Sequence, residues 1–147
     1  MARQPTFAHF DQKVADTFKA MSEQATGLPG YLGIRFVEMS PGRLVATMAV
    51  RDELLTPFKN VHGGVISAVC DHVLGCVCYP VMKRGQWAAT TEFKLNLLAP
   101  VTQGTISAVA TITALARTLA VVRIDVSNEG RLCAIAQGTV TIRDPRA

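Results

Sequence analysis

The sequence predicts an α+β domain in which an antiparallel sheet is laid over one long apolar helix, with an amphipathic helix ahead of it. Three observations carry that expectation. From Gly64 to about Tyr79 the chain is hydrophobic nearly all round, the mark of a helix buried on most sides. The segments after it alternate apolar and polar residues with the two-residue period of half-buried strands, parted by Gly, Asn and Pro turns. Before it, Phe7, Phe10, Val14, Phe18 and Met21 recur at three- and four-residue steps, with Asp11, Lys13, Asp16 and Lys19 between them. Helices segregated to one side of an antiparallel sheet make an α+β layer architecture.

Taken in order, the first helix has Thr6 as its candidate N-cap and is stopped by Gly27, Pro29 and Gly30. Tyr31 to Val37 reads as a first strand, Ser40-Pro41-Gly42 as a turn, and Arg43 to Val50 as a second strand with Leu44, Ala46, Met48 and Val50 on one face. Arg51 to Lys59 is a loop carrying Pro57. The apolar helix follows and ends at Pro80, and Lys83-Arg84-Gly85 turns the chain. In Trp87 to Leu98 the alternation puts Thr91, Phe93, Leu95 and Leu97 on one face and Thr90, Glu92, Lys94 and Asn96 on the other. Thr105 to Ala116 and Leu119 to Ser127 form a hairpin across Arg117-Thr118, and Leu132 to Ile142 is a last strand after Asn128-Glu129-Gly130. No repeat, linker or low-complexity segment interrupts this order. Residues 1–30 are assigned to an N-terminal helical extension and 31–147 to a single domain.

Composition bounds the function. A chain of 147 residues is long enough to bury one core without disulfides or metals. Its hydrophobic share of 49% is high, which points to a subunit interface and hence an oligomer. The net charge of +4 suits an anionic ligand such as a phosphorylated cofactor, while the lack of a Lys/Arg stripe speaks against nucleic acid. Cys70, Cys76, Cys78 and Cys133 lack C-x-x-C zinc spacing and read as buried thiols of a reducing, cytoplasmic compartment, with no metal expected. Met1-Ala2-Arg3-Gln4-Pro5 has no apolar signal-peptide core. Val61 to Met82 raises the question of a membrane span, but His62, Asp71, His72 and Pro80 interrupt it and strand patterns follow directly.

The chemistry concentrates in Val61-His62-Gly63-Gly64-Val65, followed by Asp71. Two glycines at a helix start let other groups approach the backbone closely, where the first N–H groups have no intrahelical partner. On a helical wheel Gly64, Ser67, Asp71, Gly75 and Cys78 share one side, so the carboxylate is flanked by small residues that leave room for a ligand or a neighbouring backbone. The plain alternative is that Asp71 is a buried acid bonding structural amides. Gly63 and Asp71 lie roughly 12 Å apart along one helix. They serve one small reacting group only if they come from two copies of the chain. Cys70, Asp71 and His72 hold the residue types of a cysteine triad, but neighbours on a helix point about 100° apart and cannot relay a proton. His62 reads as a loop brace and Arg117 as an ordinary solvated turn residue.

These residues, with Leu32-Gly33-Ile34, Leu98-Ala99-Pro100-Val101, Ala116-Arg117-Thr118-Leu119-Ala120 and Ala136-Gln137-Gly138-Thr139 in the same order, resemble the hotdog-fold acyl-CoA thioesterases, in particular their phenylacetate-pathway (PaaI-like) branch. The resemblance spans roughly Tyr31 to Arg143. It implies a sheet wrapped around a central helix, working as a homodimer that commonly pairs into a tetramer, with no cofactor beyond the CoA of the substrate. It also implies catalytic positions at Asp71, Gly63, His62, Thr90 and Thr56. Gly63 donates its amide to the thioester carbonyl, Asp71 of the other subunit acts as base or nucleophile, and Thr90 holds the water or the acid. Substrate-facing positions are Gly64, Asn60, Ser67, Arg117 and Thr118, with Arg117 on CoA phosphates. Thr56 departs from the family, which commonly has Asn six residues before the His. A non-catalytic acyl-CoA sensor is the competing reading. A hotdog hydratase is disfavoured because Gly75, not His, stands four residues after the acid.

Overall fold

The computed structural model describes residues 5–145; the signal-peptide reading of Met1 to Gln4 lies outside them. Three α-helices, α1 (Gln12–Glu23), α2 (Gly27–Leu32) and α3 (Gly63–Cys76), accompany six strands: β1 (Arg35–Ser40), β2 (Arg43–Ala49), β3 (Trp87–Leu97), β4 (Thr105–Leu115), β5 (Leu119–Asn128) and β6 (Arg131–Arg143). The strands form one antiparallel sheet in the order β1-β2-β4-β5-β6-β3. The chain leaves β2, passes as α3 beneath the sheet, and returns as β3 on the far edge. This is the hotdog arrangement.

The inner face explains how the helix fits. β2, β4, β5 and β6 turn Ala46, Ala108, Ala110, Ala120, Ala134 and Ala136 inward among Leu44, Met48, Ile106, Ile112 and Ile124, all buried. Small residues let the backbone of α3 come close, and its Ile66, Val69, Cys70, Val73 and Leu74 are buried in return. Gly138 on β6 lets strand and helix come close: a Cβ there would lie 2.7 Å from Leu74 Cδ1 and 2.5 Å from the Glu92 carbonyl oxygen. By length and apolarity alone Gly63–Val81 passes for a membrane span, but half of it is buried as a core helix is.

Several expectations shift. The N-cap of the first helix is Asp11, whose carboxylate accepts the Val14 N–H, not Thr6. Tyr31 and Leu32 are not strand: Gly27 to Leu32 make a short helix ended by Gly33 in the left-handed region, where glycine carries no Cβ penalty. The long helix stops at Cys76, so Cys78 leaves the predicted face and sits buried ahead of a 3-10 turn at Tyr79–Val81. Burial on most sides also fails in the single chain: Gly64 and Asp71 are exposed, and Ser67, Ala68 and Gly75 are half-buried. One face of α3 is covered by the sheet and the opposite face is open.

β3 carries the remaining difference. Thr90 pairs with Val140 and Glu92 with Thr139, so a β-bulge interrupts the register between them. The bulge resets the alternation. Ala88 and Thr90 thereby share the helix side with Phe93, Leu95 and Leu97, whereas Thr91 faces outward and bonds Thr141. Strict alternation had put Thr90 on the opposite face from Phe93.

Candidate active site

The loop before α3 is built to deliver His62. After a 3-10 turn at Asp52–Leu54, Leu55 bridges Val61. Between them the Thr56 N–H donates to the Asn60 carbonyl (2.7 Å), and the Lys59 N–H to the Thr56 carbonyl (2.9 Å). Lys59 takes φ +65° to close this tight excursion. The Thr56 hydroxyl donates to Asn60 Oδ1 at 2.9 Å and accepts the Phe58 N–H at 3.2 Å. Thr56 and Asn60 therefore clamp each other, and Phe58 stands out at the tip, 89% exposed. The Val61 N–H to the Val101 carbonyl (2.7 Å) and the His62 N–H to the Leu54 carbonyl (2.9 Å) anchor the exit.

His62 is the N-cap of α3. Its Nδ1 accepts the Gly64 N–H at 2.8 Å, and its carbonyl accepts from Val65 (2.9 Å) and Ile66 (3.4 Å). With the His62 N–H on the Leu54 carbonyl, the Gly64 and Val65 bonds account for three of the four N–H groups a helix start leaves over. The fourth, on Gly63, has no acceptor among the described residues. Nearby, Asn60, Val61, Ile66, Leu97, Leu98 and Val101 wall a cavity of about 230 Å³, whose lining does not include Gly63 itself. Leu97 leans over Gly63 so closely that a Cβ there would meet its Cδ1 at 2.8 Å. A preorganised amide at the positive end of a helix, beside an apolar hollow, is suited to a carbonyl oxygen that gains negative charge.

Asp71 stands two turns further on, exposed, with no hydrogen-bond donor to it among the described residues. The reading of Asp71 as a buried acid is therefore wrong for the single chain, whose sheet covers only the other side of α3. Ser67 lies on the same open face. Gly75, a turn beyond Asp71, has the Thr90 hydroxyl 3.9 Å from its Cβ position, so the bulge brings Thr90 to the helix beside the acid's face. Within one chain Gly63 and Asp71 stay apart by the helical rise, roughly 12 Å.

The neighbours of Asp71 point elsewhere. His72 stacks on Phe36, ring centroids 5.2 Å apart, and burial holds its imidazole below the ordinary value of 6.5 against the opposing pull of Asp71. Burial first, with the Cys133 and Asp71 charges adding to it, pushes the Cys70 thiol up to about 12. Burial and then Asp71 raise Cys76 to about 12, and burial and then Cys76 do the same for Cys78. Such thiols are not nucleophiles at neutral pH. Arg117 and Thr118 sit at the β4–β5 hairpin, at the other end of α3 from Gly63. The Thr118 carbonyl accepts the Ile142 N–H at 2.8 Å, and Arg117 walls a hollow with Lys83 and Gln86.

Sequence reasoning missed two features. The apolar wall made by Ile66, Leu97 and Leu98 was signalled only by Leu97-Leu98 running past the end of the strand pattern. The free edge of β3, beside which Trp87, Leu97 and Leu98 are 42%, 56% and 52% exposed, had no signal until the strand order was known.

Comparison with known proteins agrees with this fold. Human acyl-coenzyme A thioesterase 13 is 26% identical over 134 residues, covering 88% of this chain and 93% of that protein. A thioesterase of Haemophilus influenzae superposes with a TM-score of 0.81 at 24% identity, covering 98% of this chain and 96% of its own. The PaaI protein of the Escherichia coli phenylacetic acid degradation operon superposes with a TM-score of 0.80 at 21% identity, covering 90% and 96%. Residues 58–135, which run from the exposed Phe58 through α3 and β3 into β6, match the sequence profile of the thioesterase superfamily. With its hotdog fold and its match over more than half its length, the chain belongs to the thioesterase superfamily.

Proposed function

We propose that the chain hydrolyses an acyl-CoA thioester to the free acid and CoA, as a homodimer with two shared active sites. The observation that carries this reading is the pairing along α3: a Gly63 N–H without an acceptor and, roughly 12 Å on, an exposed carboxylate without a donor, both among the described residues. Two antiparallel copies of that face, related by a two-fold axis near Ser67, bring the Gly63 of one protomer opposite the Asp71 of its partner. Isologous interfaces have this self-complementary form. The open edge of β3 lets the two sheets join in the same step.

The thioester carbonyl oxygen then accepts the Gly63 N–H while the acyl group lies in the Ile66, Leu97 and Leu98 hollow. Asp71 of the other protomer takes a proton from water, with Thr90 holding the water or the acid, and the hydroxide adds to the carbonyl carbon. The oxyanion is stabilised at Gly63 until the C–S bond breaks, and the departing thiolate receives the proton from Asp71. His62 positions this machinery by occupying the Gly64 amide, which leaves Gly63 as the donor. Thr56 and Asn60 act together by fixing the loop that delivers His62. The chemistry needs no cofactor beyond the CoA of the substrate, which the reducing cytoplasm supplies. Similarity to an acyl-coenzyme A thioesterase supports the choice of substrate class.

The decisive measurement is CoA thiol release over a panel of acyl-CoAs. Wild type turns over at least one of them, and Asp71→Asn, which keeps size and shape, loses ~100-fold or more in kcat, the range a general base contributes. Saturable acyl-CoA binding without turnover by the wild type would instead make the protein a sensor.

A further inference from the structure

The hollow near the start of α3 has one polar side chain, and two bonds fix its orientation. Asn60 stands in a wall whose other residues all carry apolar side chains. The Val61 carbonyl can only accept, so the end of the carboxamide turned to it, at 3.4 Å, is Nδ2. At the other end Oδ1 accepts the Thr56 hydroxyl at 2.9 Å, and that hydroxyl in turn accepts the Phe58 N–H at 3.2 Å. Nδ2 carries two hydrogens. One lies on the long bond to Val61, and the other has no acceptor among the described residues. Carbonyls along the same wall are already in use: Val61 accepts from Asn60, Pro100 from Arg131 at 2.6 Å, and Val101 from the Val61 N–H at 2.7 Å. Asn60 therefore offers the hollow a donor, while its acceptor end is turned to Thr56, which is not among the walls.

We propose that this amide selects the acyl group: the preferred acid carries, on an otherwise apolar body, an oxygen that accepts a hydrogen bond without donating one, a ketone or an ether. The inference rests on the placement of the acyl group proposed above, in the Ile66, Leu97 and Leu98 hollow. A plain hydrocarbon chain suits the apolar walls but covers the Asn60 N–H, and a donor covered without a partner costs free energy. A hydroxyl satisfies that N–H, but its own proton then meets no side-chain acceptor in the hollow. A ketone or ether oxygen takes the N–H and brings no proton of its own. A few polar groups set in apolar walls fix orientation and specificity in this way, and a site that hydrogen-bonds one group discriminates against the analogue lacking it. Asn60 touches the acyl group and sets specificity. Thr56 acts through it, as the positioning residue that holds Oδ1.

Three CoA thioesters of one chain length test the order: the saturated acyl and its hydroxy and keto forms at the same carbon, with that carbon walked along the chain. At the position that meets Asn60, kcat/KM is expected to be highest for the keto form and ~10-fold lower for the saturated one, the upper range for one neutral hydrogen bond, with the hydroxy form between them. Asn60→Asp keeps an oxygen on the Thr56 hydroxyl and puts an acceptor where the donor was, so the hydroxy form is expected to take the lead. Thr56→Val frees the carboxamide to turn over and is expected to close the gap between keto and hydroxy forms, with Thr56→Ser restoring it. A loop that needs Thr56 only for its shape would lower all three rates together. Equal kcat/KM for the three thioesters at every position, a hydroxy form in the lead, or a keto preference that survives Asn60→Asp overturns the inference and leaves the thioesterase reading in place. Calorimetry with the matching CoA thioethers, which have no thioester carbonyl to hydrolyse, reads the same order as affinities. Tighter binding of the keto thioether by a wild type that hydrolyses nothing overturns the thioesterase reading alone, and no preference among the thioethers overturns the inference.

Discussion

At residue scale, the site is organised by what each backbone amide of the α3 start already bonds. His62 takes the Gly64 N–H through Nδ1 and offers its carbonyl to Val65 and Ile66, so Gly63 is left as donor by elimination. The His-Gly-Gly pattern announced a helix start but not which amide stays unpaired, because that depends on a ring orientation no spacing encodes. The exposure of Asp71 was illegible for a related reason: a run of apolar residues looks the same whether its last face is covered by its own sheet or by a second copy. His72 gives a measurable consequence. Its folded-state affinity for a proton is depressed by burial, so as pH drops below 6.5 the unfolded chain binds a proton that the folded chain refuses. Stability is expected to be full above that value and to decline as pH falls below it. Denaturant midpoints measured at pH values on either side should show the decline, and His72→Gln should flatten it.

At element scale, β3 does most to join fold to chemistry. Its bulge at Thr90 and Glu92 turns Thr90 to the helix, and Gly138 of the paired strand leaves room for Leu74 and Phe93 to meet there. The strand's limits were legible from its alternation and from Pro100, as were the β4–β5 hairpin and the turn at Asn128-Glu129-Gly130. The bulge was not, since one inserted residue leaves composition and length unchanged and shows only in the partner's register. Gly138→Ala puts a methyl against the Glu92 carbonyl oxygen and the Phe93 Cβ, neither of which is a flexible chain end. Overpacking of this kind should remove ~1–3 kcal/mol of stability by chemical denaturation, and turnover should fall with it because the strand carrying Thr90 has to move.

At the scale of the whole molecule, the far side of α3 and the outer edge of β3 both stay open in the single chain. In the proposed dimer one two-fold operation covers both. The high apolar content had pointed to an interface without locating it, since the strand order that makes β3 an edge is a tertiary fact. Sedimentation velocity at micromolar concentration is expected to give a dimer or a dimer of dimers, and a monomer would contradict the shared site. The α+β class was legible because its signals, period and turn residues, are local and agree; the hotdog form came from the resemblance of the motifs. The proposal that two protomers share each site rests, in the sequence, on helical rise alone.

The four cysteines acquire a different meaning under the proposed reaction, whose product is a thiol. Burial pushes three of them up to about 12, so at neutral pH they stay protonated. Under that reaction, a disulfide of CoA made by an outside oxidant would meet few protein thiolates able to exchange with it. The packing that seats α3 under the sheet thus also keeps these sulfurs protonated.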